Sequence, residues 1–186
     1  MAQGPARLKP QAFAMLLLGT QALLIASGQV LLWAARRGSL LAALQPELPC
    51  TAILATGGAT GFAGALLVYG LYRFLPPYAR AIRPVVELFR GLPRGQLWAA
   101  ALVSPLGEEL FFRGALQPLV GLVWAALIFG LLHTGLRRER LAYGLSAAGL
   151  GLFFGVSYQF LGELWAAVVA HTTYNSLVVA ALPLFP

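Results

Sequence analysis

An all-α, polytopic transmembrane helix bundle is the fold class this sequence predicts, and three observations predict it. Hydrophobic residues make up 59% of the 186 residues and charged ones 10%, with a mean hydropathy of +0.77, well beyond the composition of a soluble domain. Apolar runs recur at lengths near the roughly 20 helical residues that cross a hydrocarbon core of about 30 Å. The basic residues behind the net charge of +7 collect mostly in the short breaks between those runs. That is the placement of membrane topology and not of a nucleic-acid footprint, so no nucleic-acid partner is expected.

Six segments follow on the length criterion, at about 12–35, 50–75, 96–118, 120–135, 139–159 and 163–184. The first follows Arg7 and Lys9 but stays apolar to Trp33, longer than a signal-peptide core, and reads as an uncleaved anchor. The fourth is short and is expected to cross partly or at a thinned site. A cytoplasmic amino terminus puts Arg7, Lys9, Arg73, Arg80, Arg83, Arg90, Arg94, Arg137, Arg138 and Arg140 inside and only Arg36 and Arg37 outside. The positive-inside rule therefore places both termini in the cytoplasm. The stretch 73–95, with prolines at 76, 77, 84 and 93, reads as a cytoplasmic loop carrying a short interfacial helix from Pro84 to Arg90. Residues 1–95 thus hold two spans and this loop, and 96–186 a core of about four membrane helices.

Small residues four apart, Gly57 and Gly61 in the second segment and Ala147, Gly151 and Gly155 in the fifth, allow close helix approach within the bundle. The same spacing serves a dimer interface, so the oligomeric state stays open. Phe153, Phe154, Tyr158 and Phe160 read as lipid-facing, with a groove lining as the sharper alternative.

Charges break the third segment. "GEELFFRG", Gly107 to Gly114, carries Glu108, Glu109 and Arg113, each costing roughly 2.5 to 3.5 kcal/mol at mid-membrane. Such a helix must face a wet cavity or polar partners inside a bundle. Glu109 and Arg113 stand at i and i+4 in the favourable order for an ion pair, while Glu108 points about 100° away and lacks that partner. A purely structural polar plug is the competing account of all three. Ser104 and Pro105 form a helix-start signal one turn upstream, which would put Glu108 near the positive end of a helix.

The chain has two histidines. His133 ends "FGLLH" on a face with Phe129, and His171 opens "HTTYN" on a face with Asn175. Either alone reads as a structural donor; both, beside an unpaired glutamate in apolar segments, make a candidate site able to activate water and polarise a carbonyl, with or without a metal. All six acidic residues are Glu, so aspartyl chemistry is excluded, and Cys50 is the lone cysteine. There is no H-E-x-x-H, and "GLSAAG" around Ser146 is not a serine-protease turn.

E-E-x-x-x-R, F-x-x-x-H and H-x-x-x-N in this order resemble the CPBP family of intramembrane proteases. That family includes the CAAX prenyl endopeptidases and bacterial members linked to bacteriocin maturation or self-immunity. The resemblance covers roughly 96–180. It implies that Glu108 activates the attacking water, His133 assists, and His171 and Asn175 stabilise the oxyanion, with Glu109, Arg113 and Phe129 supporting. It also implies a peptide or protein substrate, membrane-anchored or prenylated, met among membrane lipid, and residence in a bacterial inner membrane. Two arrangements stay open: a metal-free site, and a zinc held by Glu108, His133 and His171. A non-catalytic member, an immunity or chaperone-like factor, and an ion or proton conduit are the alternatives in function.

Overall fold

The computed structural model describes residues 9–134 and 140–185, and within them the regular structure is all helical, with no strand. Nine α-helices follow in order: α1 Pro10–Ala34, α2 Leu40–Ala43, α3 Cys50–Phe74, α4 Pro76–Arg90, α5 Arg94–Glu109, α6 Gln117–Val120, α7 Leu122–Thr134, α8 Leu141–Leu161 and α9 Leu164–Ala181. Between α5 and α6 the chain winds as a π-helix, Leu110–Leu116, and after α9 comes a 3-10 turn, Leu182–Leu184. The all-α bundle is as expected.

Four helical stretches are long and apolar enough to cross a membrane: Pro10–Ala34, Cys50–Phe74, Leu141–Leu161 and Leu164–Leu184. The other two expected spans differ for physical reasons. Segment 94–120 is broken into α, π and α turns around its charges, and α7, at 13 residues, is only about 20 Å long at 1.5 Å per residue. Of the expected inside charges, Arg7, Arg137 and Arg138 lie outside the described residues.

Two boundary expectations are corrected. The stretch after α3 is not a loop with a helix from Pro84: α4 begins at Pro76, and Pro76 and Pro77 sit in its first turn, where a missing N–H costs nothing. It buries Ile82, Val85 and Val86 and turns Arg80, Arg83 and Glu87 outward. Nor does a helix start at Ser104–Pro105: α5 starts at Arg94 behind Pro93, Pro105 lies inside it, and Glu108 falls in its last turn. Glu108 is therefore not near a helix's positive end.

The small residues are spent within the chain. A Cβ on Gly57 would come within 2.7 Å of the Ala166 carbonyl oxygen, and one on Gly61 would run into the Ala170 carbonyl and Thr173. Gly64 faces Tyr174, so contacts advance together along both chains and α3 and α9 run parallel at backbone distance. α7 and α8 meet at Gly130 and Gly144, and Gly151 of α8 lies against Ala126 of α7. At the start of α9, buried Glu163 caps the helix through Trp165 N–H at 2.9 Å and also accepts from the N–H groups of Glu47 and Leu48 at 2.8 and 3.0 Å. Trp165 Nε1 donates to the Leu44 carbonyl at 2.9 Å. These bonds seat α9 against the 44–48 loop and fix where His171, two turns on, must stand.

Candidate active site

Four elements bring the expected site residues together. α5 carries Glu108 and Glu109, the π-helical turn Arg113, α7 Phe129 and His133, and α9 His171 and Asn175. Adjacent glutamates point to opposite environments. Glu109 is 0% exposed, whereas the Glu108 side chain is 16% exposed and lines a cavity of about 260 Å³ with Ser104, His133, Tyr143, His171 and Asn175.

Glu109 is the hub of the buried side. Arg113 Nε stands 3.0 Å from its Oε2 as the expected i, i+4 ion pair. The two atoms lack hydrogen-bond alignment, and Arg113 stands in the π-helical turn, not in the α-helix that carries Glu109. Arg113 is held elsewhere as well: Nη2 donates to the Gly151 carbonyl at 3.2 Å, and its guanidinium lies 5.5 Å from the Phe129 ring centre. The second oxygen of Glu109 accepts from His171 Nδ1 at 2.7 Å. Sequence reasoning missed that contact, since it joins positions 62 apart in the chain and no local spacing encodes it.

Both imidazoles present the same atom to the cavity. His133 Nδ1 lies 2.8 Å from the Phe129 carbonyl oxygen, which can only accept, so Nδ1 carries the proton. His171 Nδ1 likewise donates to Glu109. The Nε2 atoms are left facing Glu108 Oε2, at 4.0 Å from His133 and 3.9 Å from His171. That oxygen is buried and has no hydrogen-bond partner in the protein. Separations of this size leave room for one water among these three atoms, a polar pocket that a water suits and an apolar group does not.

Aromatic rings wall the site. Phe129 stacks on His133 with centroids 4.3 Å apart, Tyr143 packs on the other side at 5.7 Å, and Phe154 lies 5.6 Å from the His171 ring. Phe154 is 1% exposed, so the lipid-facing expectation is corrected for it, while Phe160, at 87%, does face outward. Tyr143 and Tyr174 line the cavity and were not singled out in the sequence, where isolated tyrosines in apolar runs look like filler. A narrower apolar pocket of about 90 Å³ continues from His133 and Tyr143 toward Val85 and Phe89 of α4. The Tyr78 hydroxyl of α4 meets Ser146 Oγ at 3.0 Å, and burial pushes the Tyr78 phenol above its ordinary range, so it stays neutral. Ser146 therefore ties α8 to α4.

The zinc arrangement finds no three-ligand set here. Among the described residues no group of three His, Cys, Asp or Glu side chains is disposed to hold a metal. Two nitrogens at 3.9 and 4.0 Å from one oxygen exceed the ligand-to-ligand edge of about 3.3 Å that zinc bonds of 2.0–2.1 Å impose.

Residues 90–177 match the family model described as type II CAAX prenyl endopeptidase Rce1-like. The match contains Glu108, Glu109, Arg113, Phe129, His133, His171 and Asn175, and the resemblance carried by "EELFFR", "FGLLH" and "HTTYN" is borne out: this segment is Rce1-like. The family is one of peptidases, and with its long apolar helices the chain is an integral membrane protein. The uncharacterized protein YpbD of Bacillus subtilis (strain 168) is 33% identical over 70 residues, 38% of this chain and only 36% of that relative's length. No solved structure matches.

Proposed function

We propose that the protein is an intramembrane endopeptidase that hydrolyses a peptide bond in or near the bilayer with a water activated by Glu108. The observation that carries this reading is the unpartnered Glu108 oxygen facing two Nε2 atoms across a gap sized for water. Glu108 takes a proton from that water as its oxygen attacks the scissile carbonyl carbon, giving a tetrahedral oxyanion. His133, its Nδ1–H fixed on Phe129, accepts a hydrogen bond from the water at Nε2 and orients it. His171, with a proton on Nε2, and the Asn175 amide donate to the oxyanion, and the Glu109 carboxylate balances the imidazolium as an orienting acid does in a hydrolytic triad. Collapse breaks the C–N bond, and the proton held by Glu108 passes to the leaving amine.

Peptide or protein chains, membrane-anchored or prenylated, are the substrate class this reading favours, and the family match supports it. Both termini lie in the cytoplasm by the arginine bias of the loops, in a bacterial inner membrane. Residues 1–95 supply α1 and α3 as supports of the 96–186 core. The test is cleavage of a library of prenylated and unmodified peptides by the purified protein in detergent, read by mass spectrometry. Wild type is expected to cut and Glu108→Ala not to; equal product from both would return the non-catalytic readings, an immunity or chaperone-like factor or an ion conduit.

A further inference from the structure

A second site lies away from Glu108, on the outer side of the α3–α9 pair. Arg73, Arg80 and Arg83 line a surface basin of about 590 Å³ together with Tyr69, Tyr72 and Leu184. An apolar groove of about 190 Å³ adjoins it, lined by Phe62, Ala65 and Leu66 of α3 and Leu177 and Ala181 of α9, and sharing Tyr69 and Leu184 with the basin. Because α3 and α9 run parallel, the basin sits where both helices end and the groove runs down between them. All three arginines are exposed. Arg83 pairs with Glu87 at 2.9 Å and Arg73 lies over the Phe74 ring at 5.8 Å, so three guanidinium charges against one carboxylate leave the basin net positive.

The groove has the depth of one leaflet. From Arg73 back to Phe62 is 11 residues of α3, about 16 Å of helix, against about 15 Å for half of a 30 Å hydrocarbon core. α3 and α9 are among the helices long and apolar enough to cross the membrane, so the groove opens to acyl chains and the arginines stand at headgroup depth. Tyr69 sits at the join, where an amphipathic ring belongs. Guanidinium forks match phosphate oxygens in charge and geometry.

We infer that this basin and groove form a binding site for an anionic glycerophospholipid, phosphate on Arg73 and Arg80 and one acyl chain between α3 and α9. The site is independent of the peptidase reading. Occupancy would brace the α3–α9 pair from outside at the end where α4 closes over it.

Thermal unfolding of the full chain in a neutral maltoside detergent tests this with three probes: dioctanoyl phosphatidylglycerol, dioctanoyl phosphatidylcholine and glycerol 3-phosphate. The anionic lipid is expected to raise the Tm by about 5 °C, and the other two to leave it within about 1 °C. Arg73→Gln combined with Arg80→Gln should abolish the shift, and the corresponding lysine pair, which keeps the charge but not the fork, should retain only part of it. An equal shift with phosphatidylcholine would mean lipid contact without headgroup recognition, and one with glycerol 3-phosphate an anion site without the groove; either overturns the proposal, as does a full shift in the glutamine pair. If the glutamine pair fails to fold, the three probes on wild type decide alone.

Discussion

Glu109 Oε1 accepts a 2.7 Å hydrogen bond from His171 Nδ1, which makes the buried glutamate the residue that orients an imidazole as well as the partner of Arg113. The consequence is a fixed tautomer. With Nδ1 of His133 donating to Phe129 as well, both imidazoles carry a proton on Nδ1. The chain has only two histidines, so ¹⁵N-histidine labelling gives two ring systems, assignable with His133→Gln. Nδ1–H signals from both, or an imidazolium at His171, are the expected result; an Nε2–H neutral tautomer at His171 would contradict the Glu109 contact.

Close approach of α3 and α9 sets the position of His171, because Gly61 lies against Ala170. Gly61→Val pushes the helices apart at that level, and overpacking of this kind costs about 1–3 kcal/mol. A fall in Tm together with a loss of peptidase activity is expected. Unchanged values of both would show that the two helices are free to move without disturbing the site.

Asn175 shares the cavity with Glu108 and His171. In the proposed mechanism it donates to the oxyanion and acts in the transition state, so Asn175→Ala should lower kcat by about 100-fold or more with little change in KM. A raised KM at constant kcat would instead make Asn175 a substrate-binding residue.

Glu108, His133 and His171 do not form a three-ligand metal set, and peptidase activity should survive treatment with a strong chelator. Elemental analysis of the purified protein, run beside that assay, is expected to find no stoichiometric zinc. Loss of activity on chelation that returns with added zinc would replace the metal-free mechanism.

How much of this was legible in the sequence divides along the range of the interactions. Local periodicity exposed the Glu109–Arg113 pair, the split between Glu108 and Glu109, and the shared faces of Phe129 with His133 and His171 with Asn175, because each depends only on helical spacing. The Glu109–His171 bond, the Gly151 carbonyl on Arg113 and the bonds from the Glu47 and Leu48 N–H groups to Glu163 depend on which elements neighbour one another, and no single stretch encodes that. The π-helical turn escaped for another reason: nothing in the sequence of Leu110–Leu116 distinguishes i→i+5 from i→i+4 winding. Proline misled twice, since Pro76 and Pro77 open a helix and Pro105 sits within one, tolerated where packing outweighs a lost backbone bond.

In the proposed mechanism the adjacent glutamates divide the labour, Glu108 activating the water and Glu109 balancing Arg113 and orienting His171. Parallel measurement of kcat/KM and Tm for Glu108→Gln and Glu109→Gln tests it most directly. Glu108→Gln should lose at least about 100-fold in kcat/KM with its Tm nearly unchanged. Glu109→Gln, which leaves the buried Arg113 guanidinium without its counter-charge, should lose about 3–5 kcal/mol of stability and fall by about 10 °C or more in Tm. Retained activity in Glu108→Gln, or equal Tm values for the two variants, would contradict the account.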